Sequence, residues 1–161
     1  MANFPGWKSV EQTWSTKLSN QAVPRDGTPP ESCLLMSGRE ETGSYIESII
    51  AQPYGVTGSD VIVHLWAKPK GQTDTFLLGS SLVNAVFTVT LGSATYYDDL
   101  SNDLLPLTSF PLADTNDIST NRILKVGPGV SIYVGLDKAL SPAGIAIWAH
   151  GGHLGNDDLY S

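Results

Sequence analysis

The chain has 161 residues, 41% of them hydrophobic, and only 16% charged, with nine basic against sixteen acidic side chains and a net charge of -7. That length suits one domain able to bury about two-thirds of its unfolded surface. Scattered Lys and Arg cannot replace counterions on phosphate, so nucleic acid and an anionic membrane surface are excluded as expected partners. No apolar run approaches the roughly 20 residues that span a bilayer.

Residues 1–31 read as an N-terminal arm and residues 32–161 as the domain proper. Trp7, Val10, Trp14 and Leu18 recur three or four apart. That spacing predicts a short helix near residues 5–19. Pro24, Pro29 and Pro30 with Gly27 then exclude regular structure and predict an extended tether or turn. The apolar stripe of the arm needs cover, either its own domain or a neighbouring subunit.

From Ser32 onward the β signals accumulate. Cys33 to Met36 is a short apolar strand, and Ser44 to Ala51 a second in which Glu47 marks a sheet edge. Val61, Val63, Leu65 and Ala67 share one face of a third strand, with Ile62, His64 and Trp66 on the other. Two apolar faces place that strand centrally. Lys68 to Asp74 is a turn, followed by strands over Thr75–Leu78 and Ala85–Leu91. Residues 93–120 carry Leu100, Leu104, Leu105, Leu107, Phe110 and Leu112, which predicts a packed loop or one covered by a partner. The same region holds five Asp residues and no Lys or Arg between Asp98 and Asp117, which reads as a solvated acidic loop. Three strands close the chain, over Ile123–Val126, Val130–Val134 and Ile145–Gly152. Seven or eight short strands with turns between them, and no βαβ alternation, predict an all-β antiparallel sandwich or barrel-like domain.

Chemistry-bearing patterns are weak. Cys33 is the single cysteine and lies in an apolar run, so a buried inert thiol is expected. His150-Gly151-Gly152-His153, with Asp157 and Asp158 downstream, superficially suggests zinc ligands, but the spacing is not that of a helical pair. A strand leaving the sheet accounts for it. Asp98, Asp99 and Asp103 lack the spacing of a calcium loop. Gly127-Pro128-Gly129 is a turn and lacks the Lys of a phosphate loop. No catalytic, cofactor or metal residue is assigned, and no enzymatic activity is expected. Trp66, Trp148, Tyr96, Tyr97 and Tyr133 form core aromatics or, alternatively, a sugar platform.

The closing segment, Ile123 to Leu136, Ala139 to Gly144 and Ile145 to Gly152, resembles the β-sandwich domains of small bacteriophage virion proteins. Val61 to Trp66 resembles an earlier central strand of the same domains, so the likeness covers about residues 59–152. The resemblance implies a structural role on a phage particle, as capsid decoration (cement) or at the neck, tail or baseplate. It implies other virion proteins and further copies of the chain as partners, synthesis in a host cytoplasm and residence in the virion. Trp7, Val10, Trp14, Leu18, Leu104, Leu105 and Phe110 are the expected interaction residues. The rival classes are a carbohydrate- or host-receptor-binding module, which needs a solvent-facing aromatic strip, and a hydrolase, which needs converging carboxylates.

Overall fold

In the computed structural model, the described residues are 10–20, 22–55, 57–85, 88–91, 94–97, 102–103, 110–111 and 122–155. They form twelve strands: β1 Val10–Leu18, β2 Leu34–Ser37, β3 Ser44–Tyr54, β4 Val61–Lys68, β5 Phe76–Val83, β6 Thr88–Leu91, β7 Ala94–Tyr97, β8 Asn102–Asp103, β9 Phe110–Pro111, β10 Arg122–Val126, β11 Ser131–Leu136 and β12 Gly144–His153. A single 3-10 turn, Glu31–Cys33, precedes β2.

The first sheet runs β1-β12-β3-β10-β9, with β8 also on β3, and the second runs β2-β11-β4-β5. β6 and β7 form a separate hairpin. Leave aside that hairpin and the two-residue strands, and number the other eight in chain order. The sheets then read 1-8-3-6 and 2-7-4-5, with every pairing antiparallel. That order is the jelly roll, a two-sheet Greek-key sandwich. The sandwich is open, with β5 at one edge and not closed into a barrel.

Period-two alternation builds the core between the sheets. β12 directs Ile145, Ile147 and Ala149 inward, all at 0% exposure, while Trp148 and His150 face out. β3 supplies Ile46, Ile49 and Ala51, and β4 supplies Val61, Val63 and Leu65. β4 lies between β11 and β5, the central position its two apolar faces predict.

Three expectations are corrected. Residues 10–18 are a strand rather than part of a helix. β1 pairs with β12 across its whole length, from Val10 opposite His153 to Leu18 opposite Ile145. Its half-buried or buried residues are Gln12, Trp14, Thr16 and Leu18, spaced by two. Pairing with β12 satisfies the backbone groups on one side of β1, and inward Gln and Thr hide the strand's apolar face from a helical spacing test. Leu18 is fully buried and Trp14 packs against the same core, so both are covered by their own domain.

The second correction concerns the proline-rich stretch, which is not a free tether. Val23 and Pro29 are buried, and Ala22 bridges Leu136. The Val23 amide donates to the Leu136 carbonyl at 2.7 Å, and the Tyr133 hydroxyl donates to Glu31 Oε2 at 2.9 Å. Residues 22–31 are therefore a strap across the outer face of the second sheet. The third correction is that Glu47 marks no edge, because β3 is flanked by β12 and β10. Its side chain is simply exposed on the outer face, near a bulge between His150 and Gly151.

Candidate functional site

Of the interaction residues expected from the sequence, Trp7, Leu104 and Leu105 lie outside the described residues. Val10 begins β1 and Phe110 begins β9. Trp14 and Leu18 belong to the sandwich core, as above. Of the described members, those on β1 and the one on β9 lie at opposite ends of the first sheet. Tyr133 and Trp66 are buried at 4% and 1% exposure, and Trp148 lies on the other sheet, so these three make no sugar platform.

Three other features concentrate chemistry. The first is apolar exposure. Phe76 and Leu82, both on β5, are each 54% exposed, and Ile62 stands opposite Leu82 in the β4–β5 register. β5 ends the second sheet, and no described strand pairs with its outer side. Phe76–Val83 reads Phe-Leu-Leu-Gly-Ser-Ser-Leu-Val, with no charge and no proline. Soluble domains usually blunt such edges with Lys, Pro or a cover. A smaller apolar pair, Trp148 opposite Ile50, lies on the outer face of the first sheet.

The second feature is a pair of serine–histidine contacts. Ser44 Oγ and His153 Nδ1 share a hydrogen bond of 2.7 Å, and the Arg39 amide donates to the same Oγ at 3.0 Å. The edge of the Trp14 ring meets His153 at 5.8 Å between centroids. His64 Nδ1 and Ser80 Oγ share a second bond of 2.7 Å, with Trp66 edge-on to His64 at 5.5 Å. Ser44 is fully buried, and His64 only 4% exposed. A nucleophile must reach its substrate, which a hydroxyl at 0% exposure does not do. Each pair satisfies one polar group that the packing has taken from water, Ser44 in the first and His64 in the second.

Burial holds the His64 imidazole below its ordinary pKa, against Asp137, which pulls it up, and with Arg25, which adds to the lowering. His150 and His153 do not converge. His150 Nε2 faces Glu47 at 4.0 Å on the exposed surface, whereas His153 holds Ser44. Cys33 is buried, and burial raises its thiol pKa, the setting of an inert cysteine. Among the described residues no three His, Cys, Asp or Glu side chains cluster as metal ligands.

The third feature is a groove of about 350 Å³ between the strap and the β4–β5 turn. Arg25, Asp26, Gly27 and Thr28 form one side, Asp74, Thr75 and Leu77 the other, and Trp66 lies at the floor. The Gly27 amide donates to the Pro24 carbonyl at 2.8 Å, closing the turn that carries Arg25 and Asp26. The Trp66 indole N–H donates to the Arg25 carbonyl at 3.3 Å and ties that turn to the sheet. Sequence reading missed this groove because its two sides are surface-type turns almost fifty positions apart.

No family model matches the chain, and no curated protein matches it. Among the described residues no helix is long and apolar enough to cross a membrane.

Proposed function

We propose that this chain is a structural subunit of a bacteriophage particle, without enzymatic activity, that assembles with copies of itself and with other virion proteins. Its resemblance to small virion proteins supports this reading. So does its jelly-roll order, the two-sheet arrangement that viral capsid domains share with lectins, although fold alone leaves function open. The observation that carries the proposal is the β5 edge.

That edge fits a second copy of this chain. The chain carries a net charge of -7, so most approaches between copies bring like charges together. The strip from Phe76 to Val83 is uncharged. Antiparallel pairing of two β5 strands would satisfy the backbone groups that no described strand meets and bring Phe76 and Leu82 into one two-fold contact. The sheets would then continue from one subunit into the next.

Sedimentation velocity of the full chain tests this, with Phe76→Lys/Leu82→Lys as the variant. The expected result is association of the parent chain and a folded, monomeric variant. A parent chain that stays monomeric at high concentration, or a variant that associates equally, refutes the edge as the interface. Electron microscopy of the native particle locates the subunit, and its absence from the particle refutes the virion role.

A further inference from the structure

We propose that the groove between the 24–28 turn and the β4–β5 turn binds a neutral sugar ring, such as the terminal hexose of a glycan. The groove adjoins the start of β5 through Thr75 and Leu77, but its chemistry does not depend on the assembly reading.

The chemistry of the lining selects the ligand. Arg25 offers only donors, Asp26 and Asp74 only acceptors, and Thr28 and Thr75 hydroxyls that do both. Among the described residues, none of these five side chains enters a hydrogen bond or ion pair of the fold. All five line one concavity, where solvent is the partner a ligand would replace. A sugar ring carries adjacent hydroxyls that donate and accept at fixed spacing. One carboxylate can take two of them, and bonds to an ionised group are about twice as strong as neutral ones.

Other ligand classes fit less well. One Arg against two Asp leaves the lining net negative, which disfavours phosphates and acidic sugars. The Arg25 guanidinium disfavours a bare cation. A mainly polar rim disfavours a wholly apolar ligand, while the half-buried Leu77 leaves a small apolar contact for the C–H face of a sugar. About 350 Å³ is at the small end of ligand sites.

The groove is also held in shape before any ligand arrives. Trp66 is 1% exposed and fixes the Arg25 carbonyl, and the Val23–Leu136 and Tyr133–Glu31 bonds anchor the strap on either side. Preorganisation lowers the ordering cost of binding.

The test is a titration of the isotope-labelled full chain, followed by amide and indole NMR signals. The probes are D-glucose, D-galactose, D-mannose and N-acetyl-D-glucosamine, taken through the millimolar range. The expected result is a saturable shift with at least one sugar, confined to residues 25–28, 74–77 and the Trp66 indole N–H. The Asp26→Asn/Asp74→Asn variant should keep its fold, since both side chains are exposed. Its affinity should fall by about tenfold or more, the loss of one or two good hydrogen bonds. Silence with all four sugars, shifts elsewhere only, or undiminished binding by the variant would overturn the proposal. Equal shifts with inorganic phosphate or calcium chloride would also overturn it, in favour of a simple ion site. Running the titration on Leu82→Lys alone, at the far end of β5 from the groove, separates a failure here from a failure of the assembly reading.

Discussion

Leu18→Ala measures whether the N-terminal arm is part of the fold. Leu18 is 0% exposed, sits opposite Ile145 in the β1–β12 register and belongs to the core cluster. Truncating a buried leucine costs about 2–5 kcal/mol, the lost transfer energy plus the cavity left behind. β1 is an edge strand and can settle inward slightly, so about 3 kcal/mol is expected. For a chain of this size each kcal/mol moves the melting temperature by about 2–4 °C, which gives a fall of about 6–12 °C. Ser15→Ala, on the exposed side of the same strand, should stay within about 0.5 kcal/mol. Urea unfolding of both variants, with an unchanged m-value, provides the free energies. If Leu18→Ala proves no more costly than Ser15→Ala, β1 is a detachable arm and its assignment to the core is wrong.

The buried imidazole of His64 makes stability depend on pH. Its folded pKa lies below the unfolded 6.5, chiefly through burial, with Asp137 opposing and Arg25 adding to the shift. The unfolded chain therefore binds the extra proton first. Stability should be full above about pH 6.5 and decline as pH falls below it, before carboxylates titrate. Urea midpoints at pH 7.5 and 5.5 should differ, and the difference should shrink in His64→Gln. Gly151→Ala should destabilise by about 1–3 kcal/mol or more, because a Cβ there would overlap the Tyr45 carbonyl oxygen and lie 2.8 Å from Ile46 Cα. A thermal melt matching the parent chain would show that the bulge has room to give. Cys33 should resist a thiol reagent in the native protein and react once unfolded, so rapid native labelling would contradict its burial.

The all-β class and the centre of the sandwich were legible in the residue pattern alone. Val61, Val63 and Leu65, and Ile145, Ile147 and Ala149, enter the core at every second position, and a period of two survives without knowledge of any partner strand. The pattern also determined that Cys33 would be buried, because the residues after it are apolar. Tertiary structure decided the ends of the chain's apolar pattern. In β1 the inward set is Gln12, Trp14, Thr16 and Leu18, and only pairing with β12 makes the polar members half-buried. Without that partner, the spacing of Trp7, Val10, Trp14 and Leu18 reads as a helical stripe. The prolines from Pro24 to Pro30 announced an irregular segment, but not that it would lie over Trp66 and Tyr133. Those rings are aromatic on the face that alternation assigns to solvent, and the strap is what covers them. The serine–histidine pairs and the groove join residues 16 to more than 100 positions apart. Local pattern reports which face a residue takes. Which residues meet depends on strand order, and strand order is settled by how two whole sheets close over one core.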